Sequence, residues 1–283
     1  MKTEPVGGHP VHLRRMGSGA RPVLALHCSL AHGGAWGALA GLLGDGATLT
    51  APDLPNHGAS ADLPPGADLH DLSTAIAGDL AARIGNGAPV DLLGHSFGGT
   101  VAIRLALERP DLVRSLTLFE PVLFSVARAA GSAAWGDWLS GQGPFADMIA
   151  RGDRAGAAEW FHGLWGQGAQ LADLPDTLRR YILDRIHLIP ATNSVLFDDR
   201  PGLVAPGRLE GLHLPVLLAQ GAMSPPIVAA VNGTLAARIP GARAISVPGA
   251  GHMLPLTHAG DLAPLVRQHL GLPALAVSVE AGQ

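Results

Sequence analysis

The stretch "GHSFGG" (94–99) follows the apolar run "PVDLL" (89–93) and leads into "FGGTVAIRLALE" (97–108), a segment with helical character. A serine between two glycines at a strand-to-helix turn is placed to act as a nucleophile. Such a turn strains the backbone and thrusts Oγ out at the carboxyl edge of a sheet. The flanking glycines, Gly94 and Gly98, avoid collisions with the adjoining strand and helix. The start of the helix aims a backbone N–H at the place where an oxyanion would form. Gly-x-Ser-x-Gly alone is a weak signal in a chain with 38 glycines, so the strand–turn–helix context carries the reading of Ser96.

A serine nucleophile needs a base, and thirteen histidines compete for that role. His252 has the best setting, because it follows the strand-like "ARAISVP" (242–248) in the glycine-bearing loop "PGAGHMLP" (248–255). His258 is the reserve and reads equally as a helix start. His95 lies inside the turn and should point away from Ser96, while His57 in "DLPNHG" is expected to pack or cap. No spacing such as H-E-x-x-H occurs, so no metal and no other cofactor is expected.

These residues need a scaffold. "PVLALH" (22–27), "ATLTAPD" (47–53), "PVDLLGH" (89–95), "LVRSLTLFE" (112–120), "PVLLAQG" (215–221) and "ARAISVP" (242–248) read as strands. Several are continuous apolar runs, as in strands covered on both faces. Helix-like stretches fall at 35–43, 70–84, 97–108, 226–238 and 259–270. The alternation predicts an α/β domain with a doubly wound, mostly parallel sheet. It breaks between about 121 and 206, where helix-like pieces and four of the five tryptophans (Trp135, Trp138, Trp160, Trp165) fall. The expected division is a core of residues 1–120 and 207–283 with a helical cap at 121–206. The tail "ALAVSVEAGQ" (274–283) is expected to be loosely held.

Four segments in order resemble the α/β-hydrolase family across nearly the whole chain: "LHCSLAHGGAW" (26–36), "APDLPNHGAS" (51–60), "GHSFGG" (94–99) and "PGAGHMLP" (248–255). The resemblance implies an oxyanion hole formed by the backbone N–H groups of Ser29 and Phe97, with His27 shaping the loop through its ring hydrogen bonds. Cys28 departs from the family's usual glycine and reads as a buried small residue rather than a second nucleophile. In the family's order of serine, acid and histidine, the acid usually follows the strand after the cap in a pattern like "GxxD". Here that strand is followed by "GAMSPP", so Ser224 stands at the position, and no Asp or Glu occurs from 211 to 260. Some members, including certain haloalkane dehalogenases, draw the acid from the neighbouring strand end. Glu120, at the end of "LTLFE", fits that variant, because adjacent strand ends lie only about 5 Å apart. Asp198 and Asp199 are the runners-up.

A Ser96–His252–Glu120 triad does acyl transfer through an acyl-enzyme. The expected activity is hydrolysis of a small or medium apolar carboxylic ester, with esterase or lactonase character. The alternatives are a C–C bond hydrolase of the meta-cleavage-product type and a non-catalytic hydrolase-like binding protein. The tryptophans, with Phe145 and Phe161, are candidates for a substrate roof and equally for the cap's own core.

Composition bounds the partners. Apolar residues make up 47% and charged ones 15%, which favours a packed core over disorder. Net charge is −4 with no basic run longer than a pair, arguing against nucleic acid or an anionic membrane surface. No signal-peptide core and no 18-residue apolar stretch is present, and one cysteine excludes an internal disulfide. The expectation is a cytoplasmic protein acting on a small molecule, with its oligomeric state unreadable.

Overall fold

The computed structural model describes residues 2–167 and 169–273. The 274–283 tail, expected to be loosely held, lies outside the described residues.

The chain opens with a two-stranded hairpin, β1 (Glu4–Val6) and β2 (His9–Val11), and then enters a seven-stranded sheet. Its strands are β3 (Leu13–Met16), β4 (Arg21–Leu26), β5 (Ala47–Pro52), β6 (Val90–His95), β7 (Val113–Phe119), β8 (Val216–Gly221) and β9 (Arg243–Val247). Their spatial order is β3-β5-β4-β6-β7-β8-β9; β3 is antiparallel to β5 and every other pair is parallel. The doubly wound, mostly parallel sheet expected from the sequence is present. The three short leading strands were not foreseen. They are three or four residues long, too short to display a period.

Helices cover both faces. On one side pack α1 (Gly37–Leu43) and α12 (Ala259–His269), and on the other α2 (Leu69–Gly85), α3 (Phe97–Glu108) and α10 (Pro226–Arg238). Alternation along β4 serves both sides, since Leu24 and Leu26 join one hydrophobic cluster and Val23 and Ala25 the other. Local chemistry sets the helix ends. Asp68 caps α2 by accepting from the N–H groups of His70 and Asp71, α3 stops before Pro110, and Pro226 opens α10.

Between β7 and β8 the described residues form no strand. They form α4 (Phe124–Ala129), α5 (Ala133–Ser140), α6 (Gly143–Ala150), α7 (Arg154–Trp165), α8 (Asp176–Arg185) and α9 (Asn193–Leu196). Phe145, Ala157, Leu171 and Ile182 from this segment share a cluster of their own with Leu30, separate from the two sheet-covering clusters. A last short helix, α11 (Leu254–Thr257), follows β9.

Candidate active site

Every parallel strand end in the middle of the sheet contributes to one place. The register pairs Leu26 with Gly94, His95 with Phe119, Phe119 with Ala219 and Gly221 with Val247. The residues just past these ends therefore gather at the carboxyl edge: His27–Ser29, Ser96, Glu120, Ser224 and His252.

Ser96 joins β6 to α3 with φ 53° and ψ −117°, a conformation that side chains rarely adopt. Its N–H donates to the Phe119 carbonyl at 2.9 Å, which pins the turn to β7. A Cβ on Gly98 would strike the Leu26 carbonyl, and one on Gly94 would lie 2.7 Å from the Gly98 carbonyl. Glycine at these two positions is a steric requirement.

Glu120 leaves β7 in a left-handed turn, φ 48°, and its side chain is fully buried. Oε2 lies 2.7 Å from Nδ1 of His252, while Oε1 accepts from the Gly221 N–H at 2.6 Å and from Ser224 Oγ at 2.5 Å. Of the other acids weighed, Asp198 pairs with Arg128 and Asp199 accepts from the N–H groups of Leu203 and Val204. His258 contacts Thr257 at the start of α12.

His252 is held from three sides. Glu120 takes its Nδ1, the Trp165 ring packs with its centroid 4.3 Å from the imidazole, and its carbonyl accepts from His95 Nε2 at 2.8 Å. A carbonyl can only accept, so His95 carries its proton on Nε2. Burial, then the neighbouring His252, pushes the His95 pKa well below the ordinary imidazole range. Sequence reading turned His95 away from Ser96 but did not find this role, because the contact spans 157 positions.

The loop after β4 is braced by two neutral imidazoles. His27 donates from Nδ1 to the Cys28 carbonyl at 2.7 Å and accepts the Leu54 N–H on Nε2 at 2.9 Å. His57 donates from Nδ1 to the Pro55 carbonyl and accepts the Leu30 N–H on Nε2 at 3.1 Å. Burial drives both pKa values down, His57 to about 4. The N–H groups of Ser29 and Phe97 donate to no acceptor among the described residues. The departure at Cys28 is harmless, because the left-handed residue of this loop is Leu30 (φ 60°), not position 28. Burial pushes the Cys28 thiol up to about 12, so it stays a thiol.

Ser96 and His252 open into one cavity of about 760 Å³ that reaches up among the β7–β8 helices. Trp138, Phe145, Trp160, Phe161 and Trp165 line it. Trp135 does not; its ring packs edge-on against Phe197. Phe145 also belongs to the helical segment's own cluster, with Trp160 and Phe161 packed against it, so these rings are core and wall at once. Cys28, Ser29 and Tyr181 line the cavity from the side of the braced loop. Among the described residues no group of His, Cys, Asp or Glu could hold a metal ion, and no helix is long and apolar enough to cross a membrane.

A sequence model of the alpha/beta hydrolase family matches residues 23–265. The chain belongs to that family. Lipase LipV of Mycobacterium tuberculosis (strain ATCC 25618 / H37Rv) is 40% identical over 114 residues, a match spanning 40% of this chain and 42% of the lipase. Pimeloyl-[acyl-carrier protein] methyl ester esterase of Nitrosomonas europaea is 30% identical over 243 residues, 86% of this chain and 92% of the esterase. A solved thermophilic esterase from Thermogutta terrifontis superposes with a TM-score of 0.68 at 22% identity, covering 96% of this chain and 97% of its own. That structural likeness is one of fold. The chain is thus an α/β hydrolase with relatives named as esterases.

Proposed function

We propose that this protein is a serine hydrolase that cleaves a small or medium apolar carboxylic ester through Ser96, His252 and Glu120. The observation that carries the reading is the 2.7 Å contact between Glu120 Oε2 and His252 Nδ1 beside a serine on a strained strand-to-helix turn. A buried carboxylate on Nδ1 keeps that nitrogen protonated and leaves Nε2 free to act as a base.

In the reaction, Ser96 Oγ attacks the ester carbonyl carbon while its proton passes to His252 Nε2. The carbonyl oxygen takes up the electron pair and lies against the unpaired N–H groups of Ser29 and Phe97. The tetrahedral species then collapses, and the alcohol leaves with the proton from Nε2. Water gives its proton to Nε2, attacks the acyl-enzyme, and the carboxylic acid departs as Oγ recovers a proton. The charge on Glu120 stabilises the imidazolium in each half.

We take residues 121–206 as a cap over a core of residues 1–120 and 207–283. The cavity size is that of a drug-sized ligand site, and its aromatic walls favour an apolar acyl or alkoxy group. The relative named as a methyl ester esterase supports the reaction class. Labelling with a fluorophosphonate tests it: one label per chain is expected, lost in Ser96→Ala, followed by turnover across an ester series graded by acyl length. A folded protein whose Ser96 stays unlabelled would make this a binding protein instead.

A further inference from the structure

Ser224 occupies the place where a carboxylate was expected, yet its hydroxyl lies 2.5 Å from Glu120 Oε1. A carboxylate accepts and does not donate, so the hydroxyl donates. The Gly221 N–H reaches the same oxygen at 2.6 Å, and Oε2 is left to His252 at 2.7 Å. We propose that Ser224 is a positioning residue, whose hydroxyl forms one prong of a two-donor fork that fixes the Glu120 carboxylate so that its second oxygen faces the imidazole. The inference rests on the Ser96–His252–Glu120 reading.

Glu120 needs such a fork. Its side chain has one more rotatable bond than an aspartate and arrives from the neighbouring strand, so more freedom must be removed to aim it. It is also fully buried, and an anion out of water stays ionised only if donors replace the lost hydration. The two prongs are not equivalent. Gly221 offers a backbone N–H at a position where any Cβ would strike the Ala250 carbonyl, so that prong cannot be varied by a side chain. The prong at 224 can.

The same geometry explains why 224 is not acidic. An aspartate there would set a second carboxylate against Oε1, and two like charges in one dry site cannot both remain ionised. A glutamate at 120 therefore calls for a neutral donor at 224. The two positions form one coupled unit.

The test compares Ser224→Ala, Ser224→Thr and Glu120→Gln by kcat and KM on p-nitrophenyl butyrate across pH, with folded sites counted by fluorophosphonate titration. Glu120→Gln should lose on the order of 10⁴ in kcat, which checks the underlying triad separately. Ser224→Ala should lose about 10- to 100-fold in kcat with KM little changed, the effect of one hydrogen bond to a charged group. Its acidic limb in kcat/KM should move to higher pH, because a carboxylate short of one donor draws a proton more strongly, onto itself or onto the imidazole. Ser224→Thr keeps the hydroxyl and should restore both. If the alanine variant does not fold, Ser224→Cys, a weaker donor of similar size, should fall between serine and the expected alanine values. A wild-type profile in Ser224→Ala beside an inactive Glu120→Gln would overturn the role of Ser224 and leave the triad standing. Full activity in Glu120→Gln would overturn the triad itself. Equal losses in the alanine and threonine variants, with the limb unmoved, would reduce Ser224 to a packing residue and overturn the proposal.

Discussion

Ser96 holds its place on the strand-to-helix turn at a conformational cost. With φ 53° and ψ −117° it sits where glycine is at ease and other residues are strained by about 1–3 kcal/mol. Ser96→Gly should therefore raise stability by about 1 kcal/mol, or about 2–4 °C in Tm for a chain of this size, while abolishing fluorophosphonate labelling. Ser96→Ala should lose labelling without that gain, since alanine keeps the Cβ that strains the turn. Thermal melts of the two variants side by side decide the point; equal Tm values would mean the turn stores no strain. Ser96 was legible in the sequence because two glycines and a strand-to-helix transition leave a local signature. Glu120 was reached through the family resemblance, from a strand end beside a region without acids. Its two donors were not, because Gly221 and Ser224 lie about a hundred positions downstream.

At the scale of elements, the loops after β4 and β5 act as one unit through groups that carry no charge. The imidazoles of His27 and His57 each accept a backbone N–H from the partner loop, and their rings lie 5.2 Å apart. Protonating Nε2 removes an acceptor. Unfolded, His57 takes a proton near the ordinary imidazole value; folded, burial holds it off until about pH 4. The unfolded chain binds more protons between these values, so this stability is fully present above about pH 6.5. It declines by about 3 kcal/mol as pH falls to about 4. Urea midpoints taken from pH 7.5 to 4.5 should fall accordingly, and His57→Gln should flatten the slope; an unchanged slope would assign it to other groups. A helix from the segment between β7 and β8 adds a clasp. Tyr181 Oη on α8 accepts the Gly58 N–H and donates to the Ala31 carbonyl, both at 2.8 Å, with the Arg185 guanidinium 3.8 Å over its ring. Tyr181→Phe leaves that N–H unpaired, so a loss of about 1–2 kcal/mol is expected, with a severalfold rise in KM. Sequence reading assigned His27 to loop shaping and His57 to packing or capping, but a ring-to-backbone bond across 27 positions leaves no local pattern.

Over the whole molecule, the proposed triad and a buried ion cluster sit at opposite ends of the strands. Asp91, early in β6, is fully buried and bonded to Arg21, Arg114 and Ser115. Burial pushes its carboxyl upward, but the bonds from Arg114, Arg21 and Ser115 outweigh that and hold it below the ordinary aspartate value. Its contribution is present above that ordinary value and is lost as pH falls through the lowered one. Five residues of strand, roughly 16 Å, separate it from Ser96. Asp91→Ala should cost about 3 kcal/mol by denaturant titration, yet leave kcat per labelled site unchanged. A matching drop in kcat would mean that the two ends are coupled. The sheet itself was readable because strands buried on both faces are written as unbroken apolar runs, and 22–27, 89–95 and 215–221 needed little correction. The cavity was not. Whether a tryptophan faces ligand or its own helices depends on how α5 and α7 turn, so Trp165 ended against His252 and Trp135 beside Phe197.

The left-handed turn at Glu120 has an evolutionary corollary. In the proposed triad, the acid and the point where the chain leaves β7 for the helices before β8 are a single residue. Recombination that replaces the lid must break in after position 120, and a crossover a residue or two earlier would inherit a new roof over an inert serine.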